Sequence, residues 1–278
     1  MRCTSSFRIL FTAVLLASFL TGCGAKSFRI PYDAASPVVA YGFESYRSDA
    51  TAQPFAADLC VASADIGQPS DLSLAGYAAL FDVTHHETLY AKSVNNTLQP
   101  ASLTKTMTAY LALKYGHLED VLTASESMTE LQADAQVCGF KPGDQITLDQ
   151  ALHGLLIYSG NDAGIMIAEY ISGSTQDFAN LMNKEAKALG ATNTNFTNPH
   201  GLPDENHYTT VYDLYLIFQA AMQYDKFKEI IHTDDYTSTY TDSNGNTKEM
   251  HFATTNQYLS GGVKAPGSIN VIGGKTGT

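Results

Sequence analysis

The chain has 278 residues, of which 44% are apolar, including 16 tyrosines and 13 phenylalanines. This is enough to build the core of one main domain of about 200 residues with extensions. The net charge of −12 and the lack of a basic stripe argue against nucleic-acid binding, and solubility is the simplest role for the acidity. The cysteine spacing fits no zinc site, so we expect neither a metal nor another cofactor.

The N-terminus has the pattern of an export signal. Two arginines accompany an apolar stretch at residues 9–20, which is too short to span a bilayer as a helix. The stretch leads into the sequence LTGC, which ends at Cys23 and resembles the cleavage box of bacterial lipoproteins. This resemblance implies a signal peptide at residues 1–22 and a diacylglycerol on Cys23, whose two acyl chains are enough for stable anchoring. The alternative is an ordinary cleaved signal in which Cys23 is incidental.

Residues 23–57 mix small, polar and aromatic side chains without a sustained period, and we interpret them as a tether between the lipid and the folded domain. The folded domain then occupies residues 58–278. Once the signal peptide is removed and Cys23 is lipidated, Cys60 and Cys138 are the cysteines left for that domain. In an oxidising compartment they form a disulfide or stay as buried free thiols, and the sequence leaves both possibilities open.

The first elements of the folded domain are a hairpin and a helix. Two short apolar runs at residues 77–83 and 88–94 predict a β-hairpin, with His85 and His86 in its solvated turn. Another apolar run at residues 107–115 predicts a helix that ends at the glycine following it.

Ser102 and Lys105 open this helix three residues apart, which places their side chains on the same face. A serine hydroxyl is a poor nucleophile until a base removes its proton, and an amine one turn away is a base already within reach. Alone, the pattern Ser-x-x-Lys is weak evidence, because it also occurs on the solvated faces of many helices. Its weight depends on the motifs that follow it.

The middle of the chain predicts two apolar helices with a turn between them. Thr147 and Gln150 form a capping-box pattern, and leucines at helical spacing follow. The tripeptide Ser159-Gly160-Asn161 interrupts the helical pattern, which resumes over residues 163–171. Such a turn presents two polar side chains from an otherwise buried region.

The remaining elements complete the prediction of fold class. Residues 178–189 and 211–224 predict two further helices, the second of them capped by Thr210. An Asn-Gly dipeptide within residues 236–254 predicts a β-hairpin, and residues 269–278 predict a strand. The order of strands, helices and strands implies an α+β fold in which a helical lobe packs on an antiparallel sheet, with the site between them.

Three motifs follow one another along the chain: Ser102-Leu103-Thr104-Lys105, Ser159-Gly160-Asn161 and Lys275-Thr276-Gly277. Together they match the motif set of β-lactamases and penicillin-binding proteins, and the set is far more specific than any one motif. The surrounding sequences PASLTKTMT, LLIYSGNDA and NPHGL resemble the serine-type D-alanyl-D-alanine carboxypeptidases, which are low-molecular-mass penicillin-binding proteins. The resemblance covers roughly residues 76–278 and implies a β-lactamase/transpeptidase-like fold.

The resemblance implies roles for the first two motifs. Ser102 is the expected nucleophile, placed at a helix N-terminus whose unpaired N–H groups lie near the developing oxyanion. Lys105 is the expected general base, so burial and the nearby cation of Lys275 must lower its pKa until it is uncharged. Ser159 is expected to carry a proton to the leaving amine. Asn161 is expected to orient Lys105 and to bind the substrate amide.

The third motif is expected to bind the substrate's terminal carboxylate through Lys275, Thr276 and Thr278, since an ammonium with hydroxyls makes an anion site. Gly277 allows the substrate to approach the backbone without a Cβ in the way. In the family pattern, the backbone N–H of Thr278 completes the oxyanion hole.

His200, in the NPHGL loop, and His207 are further candidates for a base, but neither lies in a motif triplet. Hydrogen bonds that stabilise the loop are therefore the favoured interpretation of His200. The chain stops at Thr278, directly after the third motif, where the sheet of the family continues with further strands and a helix. Either the sequence is an incomplete gene product or the protein is unusually short. In both cases we expect that C-terminal strands are missing, and that the chain alone is less stable than one with its extension restored.

The implied function is a penicillin-sensitive carboxypeptidase that removes the terminal D-alanine of peptidoglycan stem pentapeptides. Its expected partners are stem peptides ending in D-Ala-D-Ala, β-lactam antibiotics and, through the lipid anchor, the bacterial membrane on the side that faces the cell wall. A D-Ala endopeptidase remains open. So do a class A-like β-lactamase, although no Glu-x-x-Leu-Asn segment follows Asn161, and a non-catalytic penicilloyl-binding or wall-binding lipoprotein.

Overall fold

The computed structural model describes residues 58–62, 64–67 and 75–277, in which helices pack beside short antiparallel sheets. The expectations for the signal peptide, for the tether with Cys23 and for Thr278 lie outside the described residues. Within the described part, no helix is both long and apolar enough to cross a membrane.

Within the described residues, the strands form two antiparallel sheets. A two-stranded hairpin confirms the first prediction, and a four-stranded sheet has the order β3-β4-β5-β6, with the predicted Asn-Gly turn between its last two strands. The strands are β1 (Ala78–Asp82), β2 (Glu87–Lys92), β3 (Val121–Thr123), β4 (Gln145–Thr147), β5 (Asp235–Thr241) and β6 (Thr247–Ala253). His85 and His86 are exposed in the first hairpin turn, as predicted.

The helices form the lobe that carries the first two motifs. They are α1 (Lys105–Tyr115), α2 (Leu148–His153), α3 (Asn161–Ser172), α4 (Thr175–Ala188), α5 (Val211–Ala221) and α6 (Asp225–His232). The separate helix α6 was not predicted: the sequence predicted one helix over residues 211–224, but Tyr224 adopts an extended conformation and starts a new helix. Apolar side chains of α1 to α6 and of β6 meet in one continuous core.

Side-chain caps fix where several of these helices begin. Thr147 accepts a hydrogen bond from the backbone of Gln150 while the Gln150 side chain bonds back to Thr147, so the predicted capping box is present. Thr210 caps α5 by accepting from the backbone N–H of Asp213, also as predicted. These caps satisfy N–H groups that helix geometry leaves without partners, which is why the local sequence predicts them.

The prediction of a strand at residues 269–278 is wrong for the described residues 269–277, which we name the third-motif segment. This segment forms no ladder with a described strand. Gly273 has φ +143°, and a Cβ there would clash with the carbonyl group of Ile231 in α6. The imidazole Nδ1 of His232 also lies 3.0 Å from the carbonyl oxygen of Ile272. Close contact with α6, rather than strand pairing, therefore places this segment.

Both cysteines of the described domain are free thiols, so the disulfide that the sequence left open is not formed. Cys60 is buried, and its backbone N–H donates to the hydroxyl of Tyr215. Cys138 lies instead beside the middle motif. Burial raises the pKa of the Cys138 thiol well above its usual value, which keeps it protonated.

Candidate active site

Ser102 lies in a 3₁₀ turn, Ala101–Thr104, that leads directly into α1. Ala101 has φ +48°, an uncommon conformation for a residue with a side chain. Gly201 in the NPHGL loop packs against this turn so closely that a Cβ would clash with the Ala101 carbonyl group. The loop and the turn thus hold each other, and the serine is presented at the start of the helix.

Lys105 is fully buried, and three oxygen atoms surround its amine. Its Nζ lies 3.0 Å from the Oγ of Ser102, 2.7 Å from the Oδ1 of Asn161 and 2.7 Å from the carbonyl oxygen of His200. The predicted pairing of Ser102 with Lys105 is therefore present in the fold. Asn161 reaches the same amine from α3, whereas the carbonyl of His200 was not predicted from the sequence.

Burial, and then the positive charge of Lys275, lower the pKa of Lys105 to about 7. No carboxylate among the described residues forms an ion pair with the amine. A lysine in this environment is uncharged in a large fraction of molecules at neutral pH, which is the state that a base requires.

The middle motif follows a π-helical turn, Gly154–Tyr158, at the end of α2. Ser159 leaves the helix with φ +68°, and α3 begins two residues later at Asn161. Single π-turns are frequent at functional sites because they redirect side chains. Here the turn and the left-handed serine place the Oγ of Ser159 and the amide of Asn161 at the edge of the cleft.

Asp162, next to the motif, anchors a neighbouring loop. Its carboxylate accepts hydrogen bonds from the backbone N–H groups of Cys138, Gly139 and Phe140, and the Asn161 N–H donates to the carbonyl of Gln136. These bonds hold the loop in a position where Gln136 lines the cleft.

Cys138 explains why the central residue of the middle motif is a glycine. A Cβ on Gly160 would clash with the Sγ of Cys138, and one on Gly154 would approach the same sulfur to 2.7 Å. The thiol therefore fills the space between Gly154, the first residue of the π-turn, and Gly160. The sequence left Cys138 as either half of a disulfide or a buried free thiol, and no local pattern indicated its contact with the two glycines.

The third motif faces the other two across the cleft. The Nζ of Lys275 lies 2.9 Å from the Oγ of Ser159 and donates to it, and burial lowers the pKa of Lys275 to about 8. The hydroxyl of Thr276 lies 2.6 Å from that of Thr255, in the loop after β6. The backbone of Gly277 lies beside Leu103 in the serine turn.

His200 and His207 have hydrogen-bond partners that stabilise the loop. The Nδ1 of His200 accepts from the backbone of Leu202, and the Nδ1 of His207 accepts from the backbone of Thr197. The Nε2 of His207 therefore carries the proton and donates to the hydroxyl of Thr104 at 2.8 Å. Burial lowers the pKa of His200 to about 3 and that of His207 to about 4, so both rings are neutral at pH 7.

The cleft between these elements has a volume of about 500 Å³ and is lined by uncharged side chains and backbone. Its walls are Ser102, Gln136, Ser159, Thr255, Asn256, Gln257, Tyr258, Val263, Thr276 and Gly277. Within the described ranges, no cluster of histidine, cysteine or acidic side chains could hold a metal ion. The sequence motifs did not reveal the loop at residues 255–258, because it lies between two recognisable elements and carries no motif of its own.

A hydroxyl beside a buried amine, with a second amine and hydroxyls across a cleft, is the arrangement of groups that active-serine acyl transfer requires. The chain belongs to the D-alanyl-D-alanine carboxypeptidase family, because the family model described as Peptidase_S11, D-alanyl-D-alanine carboxypeptidase, matches residues 66–278. Membership confirms the resemblance drawn from the motifs.

Curated relatives agree with the family match. The chain is 36% identical over 206 residues to the D-alanyl-D-alanine carboxypeptidase DacF of Bacillus subtilis (strain 168), covering 72% of this chain and 50% of the relative. It is 34% identical over 198 residues to DacB2 of Mycobacterium tuberculosis, covering 70% of this chain and 63% of the relative. The chain thus spans about half the length of the first of these relatives.

The solved structures confirm the predicted fold class. The crystal structure of the Streptomyces K15 DD-transpeptidase is similar with a TM-score of 0.67 and 29% identity, covering 77% of this chain and 82% of that one. The structure of a penicillin-binding protein homolog from Mycobacterium tuberculosis is similar with a TM-score of 0.64 and 29% identity, covering 78% and 77% of the two chains. The fold is therefore α+β and transpeptidase-like.

Proposed function

We propose that this chain carries the catalytic domain of a serine-type D-Ala-D-Ala carboxypeptidase, which removes the terminal D-alanine of peptidoglycan stem pentapeptides through an acyl-enzyme on Ser102. The observation that carries the proposal is the set of hydrogen bonds around the buried amine of Lys105. Family membership and the transpeptidase-like fold support the same function.

The partners of Lys105 determine the direction of its lone pair. A neutral amine has two N–H groups and one lone pair, whereas a backbone carbonyl and an amide oxygen only accept hydrogen bonds. The two N–H groups of Lys105 therefore donate hydrogen bonds to the carbonyl of His200 and the Oδ1 of Asn161. The lone pair is left for the hydroxyl of Ser102, at 3.0 Å. This is the geometry of a general base beside its nucleophile.

Acylation then follows with a closed proton balance. The Oγ of Ser102 bonds to the carbonyl carbon of the penultimate D-alanine while its proton moves to Lys105. The C–N bond to the terminal D-alanine breaks, and the proton held by Lys105 reaches the leaving nitrogen through the hydroxyl of Ser159. Water then attacks the ester, which releases the shortened peptide as a carboxylic acid and restores the serine hydroxyl.

The third motif supplies the contact by which the protein would recognise a peptide with a free C-terminus. The ammonium of Lys275 and the hydroxyl of Thr276 would bind the terminal carboxylate, together with Thr278. A pKa of about 8 keeps most of Lys275 charged at pH 7. Because Lys275 donates to the Oγ of Ser159, the proton of Ser159 stays available for the leaving amine.

The decisive experiment is intact-mass analysis after incubation with benzylpenicillin and, separately, with a peptide ending in D-Ala-D-Ala. We expect a penicilloyl adduct on Ser102 and a peptide shortened by one D-alanine. The Ser102→Ala variant should show neither, whereas Ser243→Ala, which alters an exposed serine in the β5–β6 turn, should behave as the unchanged protein. Folded protein that remains unmodified at Ser102 would refute the proposal.

The same experiment distinguishes the alternatives. Rapid turnover of benzylpenicillin without a persistent adduct would favour a β-lactamase. An adduct without release of D-alanine would favour a penicilloyl-binding or wall-binding protein. Cleavage of a peptide dimer joined through a D-Ala cross-link, but not of the simple peptide, would favour an endopeptidase.

We also propose that the protein is exported and held at the membrane as a lipoprotein that faces the cell wall, with a signal peptide at residues 1–22 and a tether at residues 23–57. The LTGC sequence ending at Cys23 supports this. In a Cys23→Ser variant, a radioactive fatty acid should no longer label the protein. The matched Cys3→Ser variant should be labelled normally, because that cysteine is removed with the signal peptide.

A further inference from the structure

We propose that Thr255 is a positioning residue whose hydroxyl makes Thr276 a hydrogen-bond donor, and that it thereby selects substrates with a free C-terminal carboxylate. The inference rests on the function proposed above and concerns the specificity of the same cleft. Thr255 belongs to none of the three motifs.

The contact that supports this inference joins two hydroxyl groups. The Oγ1 of Thr255 lies 2.6 Å from the Oγ1 of Thr276, and either oxygen is able to donate. Both residues line the cleft that also contains Ser102. Within the described part of the chain, the hydroxyl of Thr255 forms its side-chain hydrogen bond with Thr276.

The backbone of Thr255 is fixed by the element that carries the middle motif. Its N–H donates to the carbonyl of Ile157, in the π-helical turn that ends just before Ser159. The loop is braced further by Asn256, whose N–H donates to the hydroxyl of Thr254 and whose Oδ1 accepts from the backbone of Tyr258. Thr255 therefore connects the middle motif, through its backbone, with the third motif, through its side chain.

A proton count decides which hydroxyl must donate when substrate is bound. Each hydroxyl has one proton, and an ionised carboxylate accepts hydrogen bonds but has none to donate. The proton of Thr276 must therefore point at the carboxylate. The bond between the two threonines then needs the proton of Thr255. In the reverse order, Thr276 would direct lone pairs at the anion, which is repulsive.

A carboxamide terminus has the opposite requirement at this position. Its NH₂ group donates, so it is satisfied by a Thr276 oxygen that offers a lone pair. A donating Thr255 thus favours the carboxylate over the carboxamide, beyond the attraction that Lys275 provides. Without the Thr255 hydroxyl, the Thr276 proton is no longer directed at the terminus. The carboxylate then loses an oriented hydrogen bond, whereas the carboxamide, which does not depend on that proton, is bound as before.

The test compares two substrates in four proteins. An N-acylated peptide ending in D-Ala-D-Ala and its C-terminal carboxamide are given to the unchanged protein and to Thr255→Val, Thr255→Ser and Thr237→Val. Release of D-alanine or D-alaninamide is measured by mass spectrometry, and kcat/KM is determined for each. Thr237 is exposed on β5 and provides the same chemical change away from the cleft. Melting curves check that each variant is folded.

We expect Thr255→Val to lower the preference for the carboxylate about tenfold, as for the loss of one oriented hydrogen bond to a charged group. Its kcat/KM for the carboxamide should stay within about twofold of the unchanged protein, and Thr255→Ser should restore the preference. An equal loss on both substrates, no loss on either, or a serine variant that behaves like valine would overturn the inference.

A second measurement separates this inference from the proposed function. If the unchanged protein forms the penicilloyl adduct on Ser102 but processes the carboxylate and carboxamide peptides equally, the role of Thr255 is refuted while the proposed function stands. If the unchanged protein forms no adduct and releases neither product, both are refuted.

Discussion

Ser102 and Lys105 lie on one side of the cleft and the third-motif segment on the other, and the two sides are held in different ways. Lys105 is buried completely, and backbone or side-chain oxygens from three separate elements surround its amine. Ile272 and Gly277 are exposed, and the segment is held by contacts with α6 and Ser159 and by the Thr255–Thr276 bond.

This difference indicates that the two sides of the cleft have different roles. In the proposed mechanism, the nucleophile lies on the side that is fixed by burial and by steric fit, so the geometry for proton transfer exists before substrate arrives. The side that binds the anion depends on a few polar contacts, so single side chains there should alter specificity and pH dependence without unfolding the domain.

The largest effect is expected from Lys105→Arg. The guanidinium keeps a positive charge but cannot become neutral, so it cannot accept the proton of Ser102. Acylation by benzylpenicillin, followed as the rate of adduct formation, should fall about 10³-fold, as for the loss of a general base. The control is Lys228→Arg on the exposed side of α6, which should acylate normally. A loss of less than about tenfold would mean that another group acts as the base.

Gly201→Ala should be the most damaging substitution for stability. Gly201 has φ +90°, and a Cβ there would clash with the backbone of the serine turn. We expect a loss of about 3 kcal/mol or more in the free energy of unfolding, with acylation of Ser102 impaired as well. Urea unfolding measures the first effect and adduct formation the second.

Gly245→Ala is the matched control for the glycine test. Gly245 has φ +82° in the β5–β6 turn, but no atom lies within 4 Å of an added Cβ. It should cost only about 1 kcal/mol, the usual penalty of a left-handed conformation. Equal losses in the free energy of unfolding for the two variants would show that the close packing of Gly201 against Ala101 contributes nothing to stability.

The pH profile of acylation tests the charge coupling between the two lysines. In the proposed mechanism Lys105 must lose its proton, so the rate should rise as pH increases through about 7. Lys275 must keep its proton to bind the anion, so the rate should fall above about 8. The dependence of kcat/KM on pH should therefore be a narrow bell.

Lys275→Gln sharpens the same measurement. Because the positive charge of Lys275 lowers the pKa of Lys105, its removal should move the acidic limb to higher pH. The alkaline limb should disappear, and the rate at pH 7 should fall about 10- to 100-fold. Lys228→Gln should leave both limbs in place. An acidic limb that does not move would show that the two lysines are not coupled.

The smallest effect is expected from Asp162→Asn. The carboxylate accepts three backbone N–H bonds from the loop at residues 138–140, and an amide offers only one accepting oxygen. The free energy of unfolding should fall by about 1–2 kcal/mol, with a few-fold slower acylation. Asp177→Asn, which alters an exposed carboxylate in the first turn of α4, should change unfolding by less. An equal change in the free energy of unfolding of the two variants would show that the hydrogen bonds of Asp162 to this loop contribute nothing special to the site.

The local elements of this fold were predictable from sequence wherever short-range chemistry decides them. The capping box at Thr147, the cap at Thr210 and the two hairpins depend on residues within a few positions of each other. The strand predicted for the third-motif segment was wrong, since a strand requires a partner at a distance. Helix α6 was missed because the break near Tyr224 carries no glycine or proline signal.

The sequence by itself determined the family and the order of the three motifs, because residue type and short spacing define that chemistry without reference to the rest of the fold. It also determined that Ser102 and Lys105 share one turn, since helix geometry fixes neighbours three residues apart. Only the tertiary structure decided what surrounds them: the carbonyl of His200 on the amine, the close approach of Gly201 and the hydroxyl of Thr255 on Thr276. These contacts join residues far apart in the chain, where no local preference indicates which atoms will meet.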